Sequence, residues 1–203
     1  MQIFIINAHL KYPGWSEGGL NQAMVDLAKA LFNEHGFLVQ ETHIENGYDL
    51  ETEVQRHLGA DVVILQTPIN WFSAPWIYKK YVDEVFNYSL KDQSFIESDG
   101  RTRSDPRRQY GSGGKLMGKK FMVSATWNAP KEVFDNPDSV LSQGKSCSDL
   151  FLNITSNYKF IGFDILPEFG VFDIYKSSNY QRYFDEYKNH LMTYVVGDAP
   201  CVG

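Results

Sequence analysis

Short apolar runs alternate with stretches of helical spacing along nearly the whole chain, and this alternation restricts the possible fold more than any other feature. Ile3 to Asn7 is an apolar run ending in a polar loop, which reads as a first strand. Leu20, Met24, Leu27, Ala28, Leu31 and Phe32 then recur at the spacing of one helix face, and Gly36 closes that helix. Phe37 to Ile44 alternates apolar and polar residues, as a half-buried strand does, and Leu50, Val54 and Leu58 mark a short helix. Asp61 to Gln66 is a third strand, followed by a helix carrying Ile77, Tyr81, Val82, Val85 and Phe86. Lys120 to Thr126 is a fourth strand. Leu150, Phe151, Ile154, Tyr158 and Ile161 then give a helix, with Ser146-x-x-Asp149 as its capping box. Phe163 to Val171 is a fifth strand, and Tyr183, Phe184, Tyr187, Leu191 and Tyr194 form a closing helix.

Alternating β and α elements build a parallel sheet with helices on both faces. Five strands in 203 residues fit an α/β, flavodoxin-like doubly wound domain over 1–196, with 197–203 as a loose tail. A chain of this length buries a core without disulfides. Cys147 and Cys201 form no CxxC pair and read as two unpaired thiols in a reducing compartment. A net charge of −6 leaves no basic footprint for nucleic acid. The densest basic stretch, Arg101, Arg103, Arg107 and Arg108, is interrupted by acidic residues and reads as a solvated loop. Met1 to Ile6 is too short for a secretory core and lacks a basic start. No 18-residue apolar run suggests a membrane span. The expectation is a soluble, cytoplasmic protein.

Open α/β sheets take ligands at the carboxyl ends of their strands, and three loops lie there. The first, Ala8 to Gly19, enters a helix through Gly18-Gly19-Leu20-Asn21. Backbone N–H groups and the helix dipole at such a place suit a phosphate, although a glycine pair is also an ordinary turn. It is neither GxGxxG nor a Walker loop. The second, Pro68 to Pro75, sets Trp71 and Phe72 on a loop stiffened by two prolines. That suits a flat, partly apolar ligand such as an isoalloxazine ring, or else the aromatics pack the loop onto the core. The third, Trp127-Asn128-Ala129-Pro130, offers amides of the kind a flavin's polar edge requires, or forms an ordinary turn.

Other chemistry finds little support. His9, His35, His43, His57 and His190 show no metal-ligand spacing, so no metal is expected. His35 and His57 fall at helix ends, where a solvated imidazole is ordinary, and His190 falls on the surface of the last helix. Glu41, Glu45, Asp49, Glu51 and Glu53 read as a solvated face. There is no GxSxG elbow. Residues 88 to 119 are too long for a minimal connection, and the interleaved Phe95 and Tyr110 favour an ordered excursion.

Several stretches together carry a resemblance. They are Ile5-Ile6-Asn7, Tyr48-Asp49, Ala60 to Ile64, Ala74-Pro75-Trp76 with Lys79-Lys80-Tyr81, Ser98 to Arg103, Tyr110 to Gly114, and Thr126 to Pro130. Through them the chain resembles the NAD(P)H:quinone oxidoreductase (DT-diaphorase) family over nearly its whole length, and within it the bacterial modulator of drug activity B type. The resemblance implies bound FAD, NAD(P)H as co-substrate with NADPH favoured, and a quinone as acceptor. It also implies a homodimer with the active site at the subunit junction, the excursion completing the partner's site. Ser16, Glu17, Gly18, Gly19, Leu20, Asn21, Gln22 and Ala23 would hold the pyrophosphate side. Pro68, Ile69, Asn70, Trp71 and Phe72 would border the isoalloxazine ring, and Tyr110, Thr126, Trp127, Asn128 and Ala129 match family flavin contacts. Two departures stand out. Modulator-type relatives carry Pro-Gly-Trp-Trp where this chain has Pro68-Ile69-Asn70-Trp71. Animal members have a Tyr and a His after the fourth strand that are linked to proton delivery, and residues 129 to 150 contain neither. Tyr110, or water, is then the candidate proton source.

The implied reaction is ping-pong hydride transfer through one shared site. The rivals are an FMN-dependent reductase or azoreductase of the same fold, and a non-enzymatic flavodoxin-like electron carrier. A carrier would need a compact T-x-T-x-x-T phosphate loop, which the first loop lacks.

Overall fold

Six strands and six helices alternate in the computed structural model, which describes residues 1–176 and 179–197. The strands are β1 (Gln2–Asn7), β2 (Leu38–His43), β3 (Val62–Pro68), β4 (Lys120–Thr126), β5 (Asp164–Ile165) and β6 (Phe169–Val171). The helices are α1 (Gly19–Glu34), α2 (Leu50–Gly59), α3 (Trp76–Tyr88), α4 (Cys147–Leu150), α5 (Leu152–Ile161) and α6 (Tyr180–Leu191). The sheet is parallel throughout, in the order β2-β1-β3-β4-β5, with β6 also paired to β4.

Successive strand residues face opposite layers. Phe4, Ile6, Val63, Leu65, Phe121 and Val123 pack with residues of α2, α3 and α5. Ile3, Ile5, Val62, Ile64 and Met122 pack with residues of α1 and α6. Covered on both faces, β1 and β3 are almost wholly buried, which explains their unbroken apolar runs.

Two expected elements are interrupted. The strand expected over Phe163 to Val171 divides into β5 and β6, with Pro167 between them. Proline has no N–H for the ladder. β5 therefore pairs with the start of β4 (Lys120, Phe121) and β6 with its end (Ser124 to Thr126). The helix expected near Leu150 divides at Phe151 into α4 and α5. Its start is as read: Ser146 Oγ accepts from the Asp149 amide at 3.1 Å, and the Asp149 carboxylate accepts from the Ser146 amide at 2.9 Å. The tail after Gly197, with Cys201, lies outside the described residues.

Two side chains assigned to solvated positions are buried instead. Glu53 is 1% exposed and accepts from the Tyr81 hydroxyl at 2.6 Å, the Thr42 hydroxyl at 2.8 Å and Arg56 at 2.7 Å. His57 is fully buried, with Nδ1 2.8 Å from the Glu53 carbonyl and Nε2 3.3 Å from the Tyr158 hydroxyl. Phe4, Phe86 and Phe95 surround its ring. Glu53 and His57 lie on the covered face of α2 and pair internally, while Glu51, Thr52 and Gln55 on its other side stay exposed. Burial lowers the His57 pKa from 6.5 to about 4 and holds the ring neutral. His190 is half-buried rather than superficial, against Phe169 and Tyr194, with Nε2 2.9 Å from the Pro167 carbonyl.

The long connection between α3 and β4 contains no helix or strand, yet it is tied to the core. Phe95 is fully buried against Phe86, and the Lys115 amide donates to its carbonyl at 2.9 Å. A Cβ at Gly113 would stand 2.0 Å from the Ser98 carbonyl oxygen, and one at Gly114 would stand 2.3 Å from Ile161 backbone. The glycines let these segments lie backbone against backbone.

Candidate active site

Strand order reverses between β1, which leads outward to β2, and β3, which leads the other way. A crevice opens at such a switch point, beyond the carboxyl ends of the strands. Here it is a cleft of about 540 Å³ walled mainly by three loops, those following β1, β3 and β4.

The first loop delivers the start of α1. Asn7, fully buried at the end of β1, accepts from the Asn21 amide at 2.7 Å and donates to Gln22 at 2.9 Å, while Gln66 donates to Asn21 at 3.1 Å. These bonds fix the helix to the sheet. Gly18 is left-handed (φ 78) and offers no side-chain cap, so the first-turn amides of Gly19, Leu20 and Asn21 remain open. A Cβ on Gly18 would lie 2.3 Å from the His9 ring, whereas at Gly19 nothing lies within 4 Å. This leaves a cradle of amides at a positive helix end. Glu17, the nearby negative charge, is held by Lys11 at 2.8 Å, which lowers its pKa.

The second loop is a tight turn. Asn70 and Ser73 exchange backbone hydrogen bonds at 2.9 and 3.2 Å. Between them Trp71 (φ 51) and Phe72 (φ 66) both take left-handed backbone, and Trp71 is 91% exposed. Bulky residues in this region carry strain, and strain of this kind concentrates at ligand sites. The alternative, that Trp71 packs the loop onto the core, does not hold.

The third loop is divided in its role. Trp127 is 2% exposed and packs on Phe134, Phe151 and Phe172, so it supports the wall more than it faces the cleft. Its amide donates to the Val171 carbonyl at 2.7 Å. Among the described residues the Asn128 and Ala129 amides make no such bond, and these two remain free to meet a ligand.

Of the residues expected to bind the cofactor, the cleft gathers Ser16 to Asn21, Pro68 to Phe72 and Thr126 to Ala129. Gln22 and Ala23 do not line it, and the Gln22 side chain is engaged with Asn7 and Asp26. Tyr110 does not line it either. It is 67% exposed and stands against Phe160 and Arg101. The cleft adds His9, Trp15, Leu141, Ile174, Tyr175 and Tyr180. Ile174, Tyr175 and Tyr180 follow β6, so the carboxyl-end rule applied to the fifth strand position would have found them. Leu141 sits in an irregular loop with no sequence signal.

The profile of a family described as having a flavodoxin-like fold matches residues 1–195. The chain is 39% identical over 178 residues to NADPH:quinone oxidoreductase MdaB of Haemophilus influenzae, covering 88% of this chain and 91% of that protein. It belongs to the flavodoxin-like NAD(P)H:quinone oxidoreductase family. Two solved structures show the same fold. One, from Klebsiella pneumoniae and described as a candidate quinone reductase, has a TM-score of 0.74 at 21% identity over 95% of this chain and 84% of that chain. The other, general stress protein 14 of Treponema denticola in complex with FMN, has a TM-score of 0.63 at 19% identity over 95% of each chain.

The residues of the cleft fit a flavin. An exposed aromatic turn offers a stacking wall, the uncapped α1 start suits an anion, and two free amides on the third loop suit a polar edge.

Proposed function

We propose that the protein is an FAD-dependent NAD(P)H:quinone oxidoreductase that prefers NADPH and works by ping-pong transfer at one shared site. The observation that carries this reading is the strained aromatic turn: Trp71 and Phe72, left-handed and solvent-facing, at the mouth of the switch-point cleft. When bound, the flavin accepts a hydride from the nicotinamide and passes two electrons to the quinone.

The protein's own residues hold and orient. The amides of Gly19, Leu20 and Asn21 would receive the pyrophosphate, and those of Asn128 and Ala129 would serve the polar edge of the ring. Trp71 and Phe72 offer one flat apolar wall. Nicotinamide and quinone are both flat and need the same place, so one leaves before the other enters. FAD is favoured over FMN because the cleft also carries Tyr175 and Tyr180, a second aromatic wall beyond the β6 end that an adenine can use.

Tyr110 stands outside its own chain's cleft, so its role in proton supply requires a homodimer in which Tyr110 of the partner subunit reaches across. Exposed Trp76, Tyr110 and Met117 provide apolar surface for such a junction. Chromatography of the heat-released cofactor tests the reading: FAD is expected, and FMN alone would favour the FMN-reductase reading of the same fold.

A further inference from the structure

The sheet brings His9, His43 and Glu45 together although no sequence spacing does. β1 and β2 are neighbours with Asn7 opposite His43, so residues just past both carboxyl ends meet. One donor atom from each side chain lies within 4.8 Å of the others. His43 Nε2 is 3.8 Å from Glu45 Oε2 and 3.3 Å from the His9 carbonyl oxygen, and the two imidazole rings are 6.3 Å apart. We propose that these three side chains form a binding site for a divalent transition-metal ion of the Zn²⁺ class.

A second observation points the same way. His9 is 4% exposed, and its Nε2 has no hydrogen-bond partner among the described residues. A buried polar atom left unpaired costs about 1–3 kcal/mol, and native structures give such an atom a use. A buried imidazole nitrogen left bare in this way is available to a metal ion.

Glu45 is positioned as well. Its Oε1 accepts the Lys11 amide at 3.1 Å, which leaves Oε2 toward His43. Donors of a tetrahedral site stand about 3.4 Å apart when each is about 2.1 Å from the ion. The present spread closes by about 1.5 Å at most, within reach of side-chain rotation for Glu45, which is exposed, and His43, which is half-buried. Two nitrogens and one oxygen select Zn²⁺, Ni²⁺ or Cu²⁺ over Mg²⁺ and Ca²⁺. Neither His43 nor Glu45 lines the cleft, so ion and cleft ligand share only His9. The assignment rests on neither the cofactor nor the reaction.

The test is calorimetric titration of tag-free, chelator-stripped, flavin-loaded protein with ZnCl₂, with bound metal counted by mass spectrometry. One ion per chain is expected, undisturbed by excess Mg²⁺. His43→Ala and Glu45→Gln should each weaken binding at least about 10-fold, the loss that even an outer-shell partner causes, while flavin content stays as in the parent protein, which separates this test from that of the enzymatic reading. Absence of Zn²⁺ binding, displacement by Mg²⁺, or two variants that bind as the parent does would overturn the proposal.

Discussion

Replacing Trp71 by glycine should separate ligand binding from folding. Trp71 is 91% exposed, so the chain itself covers only about a tenth of a side chain of roughly 250 Å². At about 25 cal/mol per Å² that burial is worth ~0.5 kcal/mol. Its left-handed backbone (φ 51) costs at least about 1 kcal/mol, which glycine relieves. Glycine's greater freedom in the unfolded chain takes back about 0.5–1 kcal/mol. The terms nearly cancel, so Trp71→Gly should change the stability of the flavin-free protein by less than about 1 kcal/mol. A core tryptophan truncated in the same way would cost about 3–5 kcal/mol. Flavin affinity should fall by about 1–3 kcal/mol, roughly 5–150-fold, because a stacking wall is lost. Urea denaturation of the flavin-free protein and fluorescence titration with flavin give the two numbers. A stability loss of core size, or unchanged flavin affinity, would refute the role given to this turn.

Gly18→Ala should destabilise the fold by about 2 kcal/mol or more and release the flavin, since its Cβ would stand 2.3 Å from the His9 ring at φ 78; denaturation and cofactor occupancy measure both. Stability should fall as pH drops from 6.5 toward 4: the unfolded chain protonates His57 in that window and the folded chain does not. A shift to about 4 corresponds to about 3 kcal/mol, present above pH 6.5 and lost below it, read from denaturation at stepped pH. Burial pushes the Cys147 thiol up to about 12, so native alkylation at neutral pH should leave the Cys147 peptide unmodified by mass spectrometry, whereas unfolding exposes it.

The layered sheet was legible because apolar periodicity is a direct record of which faces are buried. Ile3 to Asn7 and Asp61 to Gln66 read as strands for that reason, and β4 fell on its expected residues. The break at Pro167 was also in the sequence, as a missing donor inside an expected strand. The buried pair Glu53 and His57 was not legible, since polar residues on a short helix read as solvated until Tyr81, Phe95 and Tyr158 arrive from distant segments to cover them. The three cleft loops could be placed because each follows a strand end. Loop position alone does not reveal whether an aromatic points outward, as Trp71 does, or packs inward, as Trp127 does. Tyr110 and the His9–His43–Glu45 group depend on partners far away in sequence, which spacing cannot report.

The central claim is that one cleft takes electrons from NAD(P)H and gives them to a quinone. Anaerobic stopped-flow spectroscopy of the purified protein tests it directly, mixing first with NADPH and then, after the nicotinamide is removed, with menadione. Bleaching of the bound flavin's visible absorption by one equivalent of NADPH, followed by its full return with one equivalent of menadione, is the expected result. A flavin that NAD(P)H does not bleach, or that menadione reoxidises only while nicotinamide is still bound, would contradict it.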